Sequence, residues 1–232
     1  VAGIYTLRCV GSIDGDVVGN YLTIFADGLV ERTFTWKDND LETHDYELKI
    51  KYSDYLVYLE DDIVRTQGTE AHNLEFVTVG DKYVQRIAQD FRTKYASKTD
   101  AEILDILLTF TQYIPYMYDS DTKGQEEYWK YPVETLFEQN GDCEDTSFLF
   151  CAIVKAMGHD TAIFIFDGHM AAGVSYDRQV EGGVGTSFSV ERTTSTARPQ
   201  LQDTPSDTHP AALYISIRMW SNDHIFGKWM SY

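Results

Sequence analysis

The chain has 232 residues, 43% of them hydrophobic and 14% aromatic, which is the composition of a globular protein with ample material for a core. Its formal net charge of −18 argues against binding to nucleic acid or to an anionic membrane, because no basic patch is available to neutralise phosphates. No run of residues approaches the roughly 18 consecutive apolar residues of a transmembrane helix, so we expect no membrane-spanning segment.

Residues 1–76 are predicted to form a β-rich N-terminal region. Two strand-like runs, 21–25 and 29–36, flank an Asp-Gly pair at Asp27-Gly28. Because Asp-Gly supplies the positive φ of a type I′ turn, we expect a hairpin between these two runs. Apolar residues alternate at period 2 over 46–52, which predicts another strand with one buried face.

A helical region follows and opens the second predicted unit, residues 77–232. Asp81 is expected to cap its first amphipathic helix, because apolar residues at helical spacing begin directly after it. The spacing of Thr99 and Glu102 is that of a capping box, and Pro115 is expected to end the helix that this box opens.

A short helix and a buried helix are predicted next. Pro132 is placed at the first position of the short helix, and Asn140-Gly141 closes it. Residues 147–157 are apolar almost all round, which indicates a helix buried on every side, with Gly158 as its stop.

The last predicted elements are strands. Residues 161–166 and 169–176 are expected to be neighbouring strands, and 187–192 follows a glycine-rich loop as a third. A long loop over 193–210 then leads to a possible last strand at 212–219. The order of elements predicts an α+β fold.

The most informative stretch is Gly141-Asp142-Cys143-Glu144-Asp145, between the two helices. If Asp142 is the N-cap, the Cys143 sulfur faces unpaired backbone N–H groups and the positive end of the helix dipole, which favour the thiolate. The flanking carboxylates oppose this, so an activated thiol would need a nearby imidazolium. The alternative is a buried structural cysteine, which is our interpretation of Cys151.

His169 is the histidine best placed to act as a base, because it follows a glycine at a strand start. With a hairpin loop centred near residue 181, His169 would lie opposite residue 193 and diagonal to Glu191. Glu191 could then accept from one imidazole nitrogen while the other nitrogen faces Cys143. Alternatively, Glu191 is an exposed strand carboxylate paired with Arg192 or Arg198.

These residues resemble the transglutaminase-like superfamily, and more closely its prokaryotic, especially archaeal, members. The resemblance spans roughly residues 78–194, and residues 34–58 weakly resemble the β-rich segment that precedes the core in the archaeal proteins. The motifs that carry it are residues 110–116, 131–136, 141–147, 168–174 and 190–194.

The resemblance implies a papain-like core, in which a helix with the nucleophile packs against an antiparallel sheet. It implies Cys143 as nucleophile, His169 as base and Glu191 as the third residue, where many members have aspartate. An oxyanion donor is expected from the Cys143 backbone N–H and from one upstream side chain. The candidates for that side chain are Trp129, Tyr131 and Gln139.

The acids around the cysteine suggest a cation. Related periplasmic cysteine peptidases use carboxylates that flank the cysteine to hold calcium, and Asp142, Glu144 and Asp145 match that pattern. Hard oxygen ligands suit Ca²⁺ and would relieve repulsion on a thiolate. The alternative is that these acids only cap the helix and complement its dipole, in which case no cofactor is required.

The resemblance implies a thiol enzyme that attacks a peptide or carboxamide carbonyl through a thioester. A cysteine peptidase or amidase with a protein or peptide substrate is our first interpretation. A protein-cross-linking acyl transferase is the second. A catalytically idle binding module on a surface assembly is the third, since fold alone does not fix function.

The sequence says less about where the protein works. Its three cysteines, Cys9, Cys143 and Cys151, form no disulfide framework and no metal-binding spacing. The chain starts at Val1 rather than methionine, which suggests a processed or trimmed product, and a targeting or anchor segment could have been removed from it. Together with the strong acidity, this slightly favours an extracytoplasmic or cell-surface location over the cytoplasm.

Overall fold

The structure, a computed structural model, describes the backbone of residues 3–13, 16–180, 183–191, 214–217 and 228–231, and the side chains of residues 27–174. These residues form a mixed fold of helices and strands that is compatible with the predicted α+β class. The helices are α1 (Tyr52–Leu59), α2 (Glu70–Glu75), α3 (Lys82–Lys94), α4 (Asp100–Gln112), α5 (Asp119–Thr122), α6 (Pro132–Glu138) and α7 (Cys143–Ala156). Among the described residues, no helix is both long and apolar enough to cross a bilayer.

The strands form two hairpins and one larger sheet. Strands β1 (Gly3–Ile13) and β2 (Asp16–Ala26) pair with each other, as do β3 (Leu29–Lys37) and β4 (Thr43–Lys51). The larger sheet has the order β8-β7-β6-β5-β9, and all its neighbours are antiparallel except β7 and β8. Its strands are β5 (Thr161–Phe166), β6 (His169–Val180), β7 (Gly183–Glu191), β8 (Tyr214–Ile217) and β9 (Lys228–Ser231).

The predicted hairpin across Asp27-Gly28 is wrong, because β2 pairs with β1 and β3 pairs with β4. The Asp27 carboxylate stabilises the open end of the β3–β4 hairpin and does not form the predicted hairpin turn between β2 and β3. It accepts from the backbone N–H of Ser53 at 3.1 Å and pairs with Lys51 at 2.7 Å. The strand predicted over 46–52 ends at Lys51, and Tyr52 already begins α1.

The helix starts follow the predicted capping chemistry. The Asp81 carboxylate accepts from the backbone N–H groups of Tyr83 and Val84, so it caps α3 as expected. Thr99 and Glu102 form the predicted capping box at the start of α4. That helix ends at Gln112, shortly before Pro115, whose ring prevents the preceding residue from continuing the helix.

One hydrophobic core joins the β3–β4 hairpin to the helices and to the larger sheet. Trp36 of β3 stacks on Phe91 of α3, and both side chains are almost fully buried. Helix α7 is buried on all sides, as its apolar sequence predicts, and it contacts α3, α4, α6, β5 and β6. Residues from both sides of the predicted boundary at residue 76 therefore share this core, while the division itself stays a prediction.

The register of the larger sheet differs by one residue from the predicted one. Glu191 lies opposite Ala172, so paired residue numbers add to 363 rather than 362. A shift of one residue exchanges the two faces of a strand. The prediction that Glu191 lies diagonal to His169 on the same face of the sheet is therefore wrong for this backbone. The loop predicted over 193–210 lies outside the described residues, and β8 falls within the predicted last strand.

Candidate active site

Helix α7 begins at a break that the local sequence imposes. Gln139 ends α6 in the left-handed conformation, with φ 55° and ψ 34°. Asp142 is then the extended N-cap of α7, and it forms a capping box with Asp145, which confirms the predicted cap. Gly141 is required there by a close approach, because a Cβ at this position would lie 2.7 Å from the Asp145 Cβ. Cys143 is thereby placed in the first turn of a buried helix.

The Cys143 thiol is buried, and it is in contact with both a carboxylate and the sheet. Its Sγ donates to Glu144 Oε2 at 2.9 Å and accepts from the backbone N–H of Met170 at 3.4 Å. Burial, followed by the charge and the hydrogen bond of Glu144, raises the pKa of Cys143. The Glu144 carboxylate therefore keeps Cys143 as a neutral thiol. The stabilisation of the thiolate that we expected from the start of the helix is outweighed in this arrangement.

His169 begins β6, directly before the residue that contacts the thiol. Gly168 precedes it with φ 68°, which allows the tight turn out of β5. The imidazole stacks on Phe166, its cross-strand partner, with ring centroids 6.5 Å apart. Ala171 packs in the small cluster that Phe166 covers, whereas Met170 packs in the main core with Cys143. The imidazole ring is thus on the face of β6 opposite to α7.

A group of three buried carboxylates lies beside Cys143. One oxygen of each of Asp119, Asp142 and Glu144 lies within 4.8 Å of the others. Burial first, and then the charges of Glu144 and Asp119, raises the pKa of Asp142 to about 8. Burial likewise raises the pKa of Glu144 to about 7 and moves that of Asp119 in the same direction.

Two oxygens of this carboxylate group have no hydrogen-bond partner within the described part of the chain. They are Asp119 Oδ1 and Asp142 Oδ1, and both are buried. A buried carboxylate oxygen without a partner is costly, so a proton or a cation is the natural way to satisfy it. Asp119 is not apparent from the sequence, because it lies 23 positions before Asp142 in a stretch that carries no signal beyond its polarity.

Asp145 does not join this carboxylate group. It accepts from the backbone N–H of Lys130 at 2.7 Å, and its Oδ2 lies 3.3 Å from Lys130 Nζ. Lys130 is itself fully buried and donates to Asn140 Oδ1 at 2.9 Å. Burial alone would lower the pKa of Lys130, but the charges of Asp145 and Glu138 outweigh it and raise this pKa. Burial also raises the pKa of Asp145 well above its usual range, but Lys130 contacts this carboxyl through both its backbone N–H and its Nζ, so we assign a charged pair that fixes the segment before α7.

The three predicted oxyanion side chains are engaged elsewhere. Trp129 Nε1 donates to Glu127 at 3.3 Å, and the Tyr131 hydroxyl donates to Asp61 at 2.8 Å. Gln139 Nε2 donates to the Thr33 carbonyl at 2.8 Å. Asp61 and Thr33 are distant in sequence from the cysteine, and Glu127 is only two residues from Trp129, so spacing around the cysteine did not reveal these contacts.

Tyr116 is a side chain near the thiol that the sequence analysis did not select. Its backbone forms a short parallel bridge with Gly141, two residues before Cys143. Burial, and then the charges at Cys143 and Asp142, raises the pKa of Tyr116. The only sequence signal was its position directly after Pro115, at the end of one of the motifs that carry the resemblance.

No protein-family model and no curated protein matches this sequence. The function is therefore inferred from the site itself.

Proposed function

We propose that the protein is a transglutaminase-like thiol enzyme, a cysteine peptidase or amidase with a protein or peptide substrate. The observation that carries this proposal is the hydrogen bond between Cys143 Sγ and the backbone N–H of Met170. It joins the first turn of a buried helix to the strand that begins with the one histidine selected from the sequence. Helix and sheet are in contact there, as a papain-like core requires.

In the proposed reaction, His169 takes the Cys143 proton and the thiolate attacks the carbonyl carbon of the substrate. The tetrahedral intermediate collapses to a thioester, and the leaving amine receives the proton from the imidazolium. Water, deprotonated by His169, then hydrolyses the thioester and regenerates the thiol. Because the imidazole stacks on Phe166, on the face of β6 opposite to α7, this step requires the side chain to leave that stack and rotate into hydrogen-bond reach of Sγ. Glu191 is proposed to orient the imidazole after this rotation, because its backbone lies opposite Ala172 rather than diagonal to His169.

We also propose that Asp119, Asp142 and Glu144 hold a divalent cation such as Ca²⁺. The support is the pair of partnerless buried oxygens on Asp119 and Asp142, together with the hard oxygen donors that Ca²⁺ prefers. Asp119 replaces Asp145 in the set suggested by sequence, because Asp145 is paired with Lys130. When bound, the cation would offset the negative charge beside the thiol.

A catalytically idle binding module is the second candidate. It is favoured by the hydrogen bond from Cys143 Sγ to Glu144, which keeps the sulfur protonated and non-nucleophilic. The imidazole stacked on Phe166 favours the same alternative.

The two candidates differ in the reactivity of one thiol. The rate of iodoacetamide alkylation at Cys143 should be measured against pH by peptide mapping, with calcium and with chelator. Buried Cys151 is the internal control, and His169→Asn is the variant. The enzyme proposal expects Cys143 to react below pH of about 7, to outpace Cys151, and to lose this rate in His169→Asn. A Cys143 that titrates at or above the value of about 8.5 for a free thiol, with or without calcium, would support the idle module.

A further inference from the structure

We propose that the outer edge of β3, together with the groove beside it, binds an extended segment of the substrate polypeptide as an added strand. The identity of the occupant as substrate rests on the proposed function. The binding chemistry rests on the strand edge and the groove alone.

The unpaired groups of β3 are identified by its ladder with β4. The backbone bonds from Asp38 N to Glu42 O and from Tyr52 N to Gly28 O show that even-numbered residues of β3 are hydrogen-bonded to β4. In an antiparallel pair the alternate residues direct their N–H and C=O groups away from the partner. The odd-numbered Thr33 and Thr35 therefore present backbone groups to the open edge.

One of these outward backbone groups already has a hydrogen-bond partner, which confirms that the odd-numbered residues direct their backbone groups away from β4. The Thr33 carbonyl accepts from Gln139 Nε2 at 2.8 Å. Within the described residues, the Thr33 N–H and both backbone groups of Thr35 have no partner on this edge. Extended peptide backbone is the ligand that matches alternating free donors and acceptors along a strand.

A groove of about 300 Å³ runs along the same edge. Its lining includes Phe110, Tyr113 and Pro115 from the end of α4 and the chain after it. Phe110 is buried, whereas the Tyr113 side chain is half exposed, so the groove has an apolar floor and an open wall. Strand addition gains affinity from the backbone bonds, and such a groove would select apolar side chains at alternate positions of the peptide.

The groove leads towards the candidate nucleophile. The Pro115 carbonyl at its end accepts from the Gly141 N–H at 3.2 Å, and Met117 N–H donates back to the Gly141 carbonyl at 3.1 Å. Cys143 is two residues beyond Gly141, a span of at most about 7 Å of extended chain. Gln139, which contacts the β3 edge, fixes the other side of the groove to the segment before α7. The end of the groove at Pro115 is thus joined by backbone hydrogen bonds to the segment that carries the thiol.

The test uses two peptide reagents on the whole chain. One is tetra-alanine amide with an iodoacetyl cap, and the other is the same reagent with N-methyl groups on alternate backbone amides. The second cannot donate the hydrogen bonds of an added strand. Both reagents and iodoacetamide attack the same thiolate, so the ratio of their rates at Cys143 does not depend on how much thiolate is present.

We expect the unmethylated peptide to alkylate Cys143 about tenfold faster than the methylated one, as one additional hydrogen bond, to the Thr35 carbonyl, would give. Thr33→Pro replaces the outward N–H with a proline ring, which blocks the approach of an added strand along the β3 edge, so it should bring the two rates together. Glu47→Pro is the matched control, because Glu47 is the cross-strand partner of Thr33 and its N–H points away from β3, to the outer side of β4. This control should keep the rate difference.

Equal rates of the two peptides with the unaltered chain would overturn the proposal, and this comparison needs no variant to fold. The same would follow if Glu47→Pro abolished the preference as fully as Thr33→Pro. Failure of the proposed enzyme function is separate, because it shows in the absolute rate against pH. A thiol of ordinary or raised pKa that still prefers the unmethylated peptide would leave the groove standing and remove the enzyme proposal.

Discussion

At the scale of single residues, the contact between Cys143 and Glu144 determines the protonation state of the thiol. The thiol donates to this carboxylate, and both groups are buried. The same hydrogen bond that positions the sulfur therefore also keeps its proton. Whatever draws the Glu144 charge away from the sulfur will make the thiolate more accessible.

Replacing Glu144 with glutamine should make Cys143 more reactive. Glu144→Gln removes the negative charge and keeps the shape of the side chain, so the pKa of Cys143 should fall from its raised value. We expect alkylation by iodoacetamide near neutral pH to rise about tenfold, which corresponds to about one pKa unit. Glu126→Gln, an exposed acid in the chain before α6, is the control. An unchanged rate in Glu144→Gln would show that burial alone holds the proton.

Replacing the buried Lys130 should strongly destabilise the protein. Lys130→Met removes the cation that faces Asp145 and Glu138 and leaves the fully buried Asp145 without its ion-pair partner. We expect a loss of about 3 kcal/mol in the free energy of unfolding, measured by urea denaturation. Lys155→Met, which breaks the more exposed pair with Asp160, should cost less than about 1 kcal/mol. Similar losses in the two variants would contradict this assignment.

At the scale of elements, the approach of Gly141 to Asp145 ties the end of α6 to the start of α7. Gly141→Ala would place a Cβ 2.7 Å from the Asp145 Cβ, so the capping box must shift. We expect a loss of about 1–3 kcal/mol, as for other overpacked positions, together with an altered alkylation rate at Cys143. Gly80→Ala is the control, because a Cβ there meets nothing within 4 Å. Equal stability of the two variants would show that α7 can adjust without cost.

The sequence predicted those elements whose determinants are local. The caps at Asp81, Thr99 and Asp142 were predicted, because a cap is decided within one helical turn. The pairing of β2 with β3 was predicted wrongly, because an Asp-Gly turn signal cannot show which strand lies alongside. The helix α1 was also missed, since its residues follow a strand whose alternation continues into Tyr52.

The candidate site shows the same limit. Cys143 and its helix start follow from five consecutive residues, so the sequence was sufficient to select them. Asp119 and Tyr116 reach the site from chain segments that are distant in sequence, and the only local signal is the position of Tyr116 at the end of a motif. Lys130 was not selected because a lysine is rarely fully buried, and only the fold brings Asp145 and Glu138 to it. The roles of His169 and Glu191 stay predictions.

At the scale of the whole molecule, the buried carboxylates should set how stability depends on pH. The pKa values of Asp142 and Glu144, about 8 and about 7, lie above the value of about 4 for an unfolded chain. The native state therefore binds more protons than the unfolded state in this window, and stability falls as pH rises from about 4 to about 8. Asp38 and Asp54 have lowered pKa values, so their titration is confined to lower pH.

Thermal unfolding with chelator should accordingly give a lower Tm at about pH 8 than at about pH 5. Asp142→Asn should reduce this difference, because it removes one of the raised carboxyl groups. Addition of Ca²⁺ at the higher pH should raise the Tm of the unaltered chain but not that of Asp119→Asn, which lacks one proposed ligand. If Tm with chelator increased with pH over this window, the carboxylates would not be held in the protonated state described here.

The open edge of β3 also has a consequence for how copies of this chain behave towards each other. A strand edge that can receive a peptide can equally receive the same edge of another copy, which is the first step of ordered self-association. The net charge of −18 opposes such contacts at neutral pH, but this repulsion vanishes near the isoelectric point of about 4.5. Light scattering at that pH should therefore show growth of assemblies that Thr33→Pro suppresses and Glu47→Pro does not. Colloidal stability and substrate capture would then depend on the same few backbone groups.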